Sequence, residues 1–162
     1  MTELLAVASD DQLPFMAISA FAGVRHAEIQ RLDWANVDKE AAIIEIRAGT
    51  AKTASRRGIP IQPNLAAWLE YQWEEAGPVC SFTNMVDQFK DMTRKVNQAR
   101  RAAWAETAAE EGWAPFAWKH NVLRHSFISY RVAEVQNVVQ VALEAGNSPQ
   151  MIFQHYRELV RQ

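Results

Sequence analysis

With 162 residues, 49% of them apolar and 22% charged, the chain has the size and balance of one globular domain with a substantial core. A single cysteine, Cys80, excludes an intrachain disulfide, and neither a signal peptide nor an apolar run long enough to span a membrane is present, so a reducing, cytoplasmic setting is expected. A formal net charge of -2 argues against a uniformly basic phosphate binder, but distribution matters more than the sum. Acids cluster from Asp33 to Glu45, from Glu70 to Glu75 and from Glu106 to Glu111, whereas bases gather at Lys52, Arg56 and Arg57, from Lys90 to Arg101 and from Lys119 to Arg131. That pattern permits one basic face on a near-neutral body.

In chain order, Thr2 to Ala8 reads as a short amphipathic helix, and Asp11 to Ala22 as a second one, apolar on most sides, with Pro14 in its first turn. Gly23 breaks it. In the following Val24 to Trp34, the residues Val24, Ile29, Leu32 and Trp34 can face a core, while Arg25 and Glu28 lie three apart on one helical side. That pair reads either as a surface ion pair worth a few tenths of a kcal/mol or as an acid that orients a functional guanidinium.

From Ala42 the period changes to alternation. Ile44 and Ile46 point one way, Ile43, Glu45 and Arg47 the other, and after a turn at Gly49 an extended pattern resumes from Arg57 to Ile61. This is a small antiparallel meander that carries Lys52 at its middle turn. Pro63 or Asn64 opens a helix with Leu65, Trp68, Leu69 and Trp73 on one face, ending near Gly77 and Pro78. A long amphipathic helix follows from about Met85 to Ala109, capped by Thr83 or Asn84, with Val86, Phe89, Met92, Val96 and Trp104 inside. Gly112 to Trp118 is a loop.

The loop delivers the chain to KHNVLRHSFISY, Lys119 to Tyr130. As a helix it carries Leu123, Phe127 and Tyr130 on a core-facing stripe, with Asn121 and Arg124 three apart on the adjoining face. Val135 to Ala145 is an apolar helix stopped by Gly146. Ser148 and Pro149 then serve as N-cap and first-turn proline of a last short helix that presents Tyr156. No repeat or linker divides the chain, so residues 1–162 form a single domain, mainly α with a small three-stranded antiparallel sheet.

No glycine-rich phosphate loop, CxxC pair, HExxH or GxSxG is present, and His26, His120, His125 and His155 lack metal-ligand spacing, so neither a metal nor a cofactor is expected. What remains is two arginines beside apolar helix faces, a hairpin lysine and a late tyrosine. Those residue types suit phosphodiester chemistry. Guanidinium forks stabilise the charge that builds on nonbridging oxygens, a tyrosine can attack phosphorus, and a lysine can protonate the departing oxygen.

The blocks AGVRHAEIQRLDW, TAKTASRRGIPI, NVLRHSF and AGNSPQMIFQHY, in this order, resemble the catalytic domain of the tyrosine recombinases, the phage integrase family, over about Leu13 to Leu159. The resemblance implies a helical catalytic domain that cuts a DNA strand, forms a covalent 3′-phosphotyrosine and rejoins strands without a metal or high-energy cofactor. On this match Arg25 and Arg124 are the catalytic arginines, Glu28 supports the first, Lys52 is the general acid and Tyr156 the nucleophile. Arg56, Arg57 and Lys119 become candidate DNA contacts. Duplex recombination sites are the implied partner, with assembly as a tetramer on DNA and a monomer or weak oligomer without it. The implied setting is the cytoplasm of a bacterium or phage host, at the nucleoid, with no membrane partner.

Two positions depart from the family pattern. Asn121 stands where the family commonly has a histidine three residues before the second arginine, and Asn147 stands where a histidine commonly follows the glycine. Asparagine keeps a hydrogen-bond donor and loses proton transfer. His120 next door and His155 beside the tyrosine are the candidate substitutes, and His125 is expected to pack or buttress. Family members normally place a helical DNA-clamping domain ahead of this one. Nothing before Leu13 is long enough for it, so weak DNA affinity is expected of this chain alone. Three readings stand: an active recombinase, a relative that binds DNA without cutting it, and a helical protein-interaction domain that uses Trp68, Trp73, Trp104, Trp113 and Trp118.

Overall fold

The computed structural model describes residues 2–47, 56–107, 114–119 and 121–156. Its hub is α2, Leu13–Phe21, in which every residue from Pro14 to Ala20 is buried. Helices α1 (Thr2–Val7), α4 (Pro63–Leu69) and α6 (Val122–Val135) all pack against it. A helix apolar on all sides must sit inside, so the composition of this segment alone places it at the centre.

Immediately after α2 the chain turns through Gly23, whose φ is +62°. A Cβ there would lie 2.2 Å from the ring of Phe127, so both the backbone conformation and the close approach of α6 demand glycine. The turn leads into α3, the four-residue helix His26–Ile29, and then into a 3-10 turn at Trp34–Asn36.

Strands β1 (Val37–Asp38), β2 (Ile43–Ile46) and β3 (Arg57–Pro60) form one antiparallel sheet in that order, with Ile44 opposite both Val37 and Ile59. The alternation expected for β2 holds: Ile44 and Ile46 are buried, and Ile43 is 41% exposed. Each buried isoleucine of this face contributes about 1.5–3 kcal/mol. Of the expected middle turn from Ala51 to Arg57, the part up to Ser55, with Lys52, lies outside the described residues.

Several boundaries and faces differ from expectation. Helix α4 stops at Leu69, where its buried face is complete, and Trp73 reaches Trp34 from the turn that follows, ring centres 5.9 Å apart. In α5 (Met85–Thr107), Met92 and Val96 are buried, but Val86 and Trp104 are 60% and 42% exposed, because they extend past either end of the covered stretch. The α5 cap is Asn84, whose Oδ1 accepts from the Asp87 N–H at 3.3 Å.

The C-terminal helices also divide differently. The apolar run expected to start at Val135 is split, since α6 ends at Val135 and Gln136 takes a left-handed conformation, φ +55°. Asn137 then caps α7 (Val138–Ala145) by accepting from the Gln140 N–H at 3.0 Å. Gly146 ends α7 as expected, and the Ser148 hydroxyl caps α8 (Pro149–Tyr156) by accepting from the Met151 N–H at 3.2 Å. Tyr130, expected on the buried stripe of α6, is 78% exposed. The buried residues Leu123, Arg124, Phe127, Ile128 and Val132 define an arc centred between Phe127 and Ile128, and at roughly 100° per residue Tyr130 falls past its edge.

Two apolar clusters result. The larger runs from α1 through α2, the sheet, α4 and α5 to Leu123. The smaller holds Phe127, Ile128 and Val132 of α6 with Val141, Ala142 and Ala145 of α7 and Ile152 of α8. Phe127 over Gly23 is the seam between them.

Candidate active site

The seam is where the polar groups collect. Arg25 is the N-cap residue of α3, and Glu28, three residues on, accepts from the Arg25 backbone N–H at 3.1 Å and from its Nη1 at 3.1 Å. The same carboxylate accepts from Arg57 on β3, Nη1 at 3.1 Å and Nη2 at 2.6 Å. Glu28 is buried, so the pair with Arg25 is part of an interior network rather than a surface i, i+3 contact. Burial pushes the Glu28 carboxyl up, but the hydrogen bonds and charge of Arg57 and Arg25 outweigh it and hold the group below the ordinary carboxylate range.

Arg57 is therefore turned inward. Its side chain is only 8% exposed, and its Nε donates to the Glu144 carbonyl at 3.3 Å, so this guanidinium, expected among the DNA contacts, faces the interior instead of the surface. The physical reason is register: Arg57 pairs with Ile46 at the end of the sheet that faces α7, beneath the Gly146 turn. A Cβ at Gly146, φ +63°, would lie 2.8 Å from the Arg57 Cζ. Arg56, its neighbour, projects outward, 75% exposed and paired with Glu45 at 2.6 Å. Lys119 is exposed before α6.

Arg124 is buried in α6 and works against backbone. Its Nη1 donates to the Gly23 carbonyl, and its Nη2 donates to the Ala145 carbonyl at 2.6 Å and to Asn147 Oδ1 at 3.0 Å. Burial, with the nearby positive charge of Arg25, brings its pKa down to about 10, and Glu28 opposes the fall. It remains a cation at neutral pH. Arg25 Nη2 donates to the Gly146 carbonyl at 2.5 Å and to the same Asn147 Oδ1 at 2.9 Å. One amide oxygen thus sits between two guanidinium groups, at a point where an anionic oxygen would be doubly stabilised.

Tyr156, at the end of α8, lines the same cavity as this pair. Its hydroxyl lies 2.5 Å from His125 Nδ1, on the residue that follows Arg124. Burial raises the Tyr156 pKa above the ordinary phenol value, and the Arg124 charge offsets part of the rise. Arg25, Arg124, Asn121, Asn147, His155 and Tyr156 line one cavity of about 540 Å³, with His125, Ile128 and Met151 completing its wall.

The structure thus brings together six residues singled out in the sequence and places Glu28 directly behind them. Asn121 precedes α6 in a left-handed conformation, φ +54°, and its side chain makes no capping hydrogen bond. Lys52 and His120 lie outside the described residues. His125 and the inward role of Arg57 were not anticipated. The first was legible in principle: a residue one place after an inward arginine is rotated by roughly 100° and faces whatever packs beside the helix, here α8. Among the described residues no group of three or more His, Cys, Asp or Glu side chains is placed to hold a metal ion.

Known structures share this fold. XerA recombinase superposes with a TM-score of 0.61 at 17% identity, covering 95% of this chain and 57% of that one. The Tn1549 transposon integrase, in complex with a circular intermediate DNA, superposes with a TM-score of 0.63 at 16% identity, covering 96% of this chain and 58% of its own. A second complex of that integrase gives 0.62. The chain spans less than three fifths of the length of these proteins, and a search of curated proteins finds no match. The sequence model of the phage integrase family matches residues 3–161, and the chain belongs to that family.

Proposed function

We propose that the chain is the catalytic domain of a DNA recombinase in which Tyr156 attacks the scissile phosphate and forms a 3′-phosphotyrosine. The observation that carries this reading is the convergence of the Tyr156 hydroxyl and both guanidinium groups on one cavity, with an acceptor oxygen already seated between the arginines. In the reaction the phosphate displaces the Asn147 oxygen. Arg25 and Arg124 then stabilise the equatorial oxygens of the transition state, and Lys52 protonates the leaving 5′-oxygen. Glu28 and Arg57 hold Arg25 in place without touching the substrate. Arg56 and Lys119 are placed at the surface to meet the flanking duplex.

Duplex DNA is the proposed partner, in keeping with the DNA complexes of the Tn1549 integrase. Self-association on that DNA, as a tetramer, is the proposed assembly, for which exposed apolar residues on α7 and on α8, the helix that carries the nucleophile, offer surface: Leu143 at 70% and Phe153 at 56%. No helix among the described residues is long and apolar enough to cross a membrane, and work at the bacterial nucleoid follows from the same proposal.

A nicked duplex that, after cleavage, loses the short fragment bearing the new 5′-hydroxyl tests the assignment. The wild type should form a covalent adduct that survives a denaturing gel, and Tyr156→Phe should form none. The second reading, DNA binding without cleavage, is favoured by Asn121, which lines the cavity and cannot transfer a proton. Salt-dependent duplex binding with no adduct from the wild type would establish it.

A further inference from the structure

We propose that His125 is the group that accepts the Tyr156 proton as the tyrosine oxygen attacks phosphorus. The inference rests on Tyr156 being the nucleophile. It starts from a contact no motif supplied: Nδ1 of His125 lies 2.5 Å from the Tyr156 hydroxyl, within direct transfer distance. Both partners stand on helices fixed in the same small apolar cluster, α6 through Ile128 and α8 through Ile152. The contact is therefore set by packing rather than by a loop.

The surroundings leave His125 as the best-placed acceptor among the described residues. Four titratable or charged groups face it across the cavity: Arg124 on its own helix, Arg25 from α3, and His155 and Tyr156 from α8, with Glu28 behind Arg25. The arginines are cations and accept nothing. Asn121 cannot take a proton. His155 meets the Tyr156 ring edge-on at 6.5 Å between centres, whereas the His125 ring is tilted over it at 6.2 Å with its nitrogen on the hydroxyl. A phenol carries its proton at neutral pH, so attack by its oxygen needs such an acceptor, and burial here tightens its hold on that proton.

The step balances. With the imidazole proton on Nε2, the Tyr156 hydroxyl proton passes to Nδ1 and the tyrosine oxygen bonds to phosphorus. The bond from phosphorus to the 5′-oxygen breaks, and that oxygen leaves with the proton supplied by Lys52. Rejoining reverses each transfer, and the imidazolium returns its proton to the tyrosine.

Single-turnover cleavage of the nicked duplex by the full chain, from about pH 5 to 8, where imidazoles change charge, tests this with His125→Asn, His125→Gln and His155→Asn. His125→Asn should cleave about 10²-fold more slowly and lose the fall in rate at acid pH. A bridging 5′-phosphorothiolate, whose sulfur leaves without protonation, should not restore it. His125 is exposed, so the variant should melt within a few degrees of the wild type, and His125→Gln serves if it does not. The proposal is overturned by any of four results: a rate within twofold of wild type, a faster rate, rescue by the sulfur substrate, or an acid limb that disappears in His155→Asn instead. A faster rate would make the contact a latch on the nucleophile. No adduct from the wild type, or an adduct from Tyr156→Phe, overturns instead the assignment of the nucleophile, and this proposal with it.

Discussion

Glu28→Gln removes one negative charge from the interior and leaves its shape nearly unchanged. The carboxylate accepts four hydrogen bonds, from the Arg25 backbone and Nη1 and from two Arg57 nitrogens, and the Glu28 and Arg57 side chains are only 1% and 8% exposed. Deleting one partner of a buried ion pair costs about 3–5 kcal/mol. The glutamine oxygen still accepts from one guanidinium, so the expected loss is about 2–3 kcal/mol. At about 2–4 °C per kcal/mol for a chain of this size, the melting temperature should fall by about 4–12 °C. The dependence on pH fixes the cause. The folded state holds the Glu28 carboxyl below its ordinary value of 4.5. Its contribution is therefore complete above that value and disappears as pH falls through the lower, folded-state pKa. Urea unfolding of the two proteins should show a gap at pH 7 that narrows at low pH, and adding Arg57→Met to Glu28→Gln should recover part of the loss, since the stranded cation is gone. A gap under about 0.5 kcal/mol at pH 7, or one that acid leaves unchanged, would refute the reasoning.

The glycine turns give a second expectation. Gly146→Ala forces a left-handed alanine, which costs about 1–2 kcal/mol, and presses its Cβ on Arg57, so its urea midpoint and its rate of adduct formation should both drop. Gly23→Ala meets the Phe127 ring and should be the more damaging of the two. Cys80 is buried with its thiol donating to the Phe82 carbonyl, and burial pushes its pKa up. A disulfide reagent at pH 8 should therefore label it slowly in the folded protein and at once in urea; equal rates would contradict the burial.

Much of this fold is readable from periodicity. The all-round apolar α2, the alternation of β2 and the stop signals Gly23 and Gly146 are local, and each marks its element without knowledge of the rest. Tyr130 shows where that fails. On a helix wheel it belongs to the stripe with Leu123 and Phe127, and only the position of the packing neighbours shifts the buried arc toward Ile128 and Val132. The site divides the same way. Arg25, Arg124, Asn147 and Tyr156 are legible because each lies in a short block that resembles the family's, and the structure brings them to one cavity. Arg57 is expected among the DNA contacts because nothing in RRGIPI says which of two adjacent arginines turns inward; strand register decides it. His125 was read as packing because its partner lies on a different helix.

The pair of arginines is also a closure of the chain on itself. Arg124 grips the carbonyl of a residue 101 positions away, and Arg25 grips the Gly146 carbonyl and the Asn147 side chain across 121 and 122 positions. Contacts of such separation form only after the intervening elements have ordered, since the loop entropy must be overcome before they add stability. A partly folded chain, with one apolar cluster formed and the other still open, has arginines but no pair. The pairing of the two guanidinium groups is thus acquired late, and a half-folded chain carries both arginines without bringing them together.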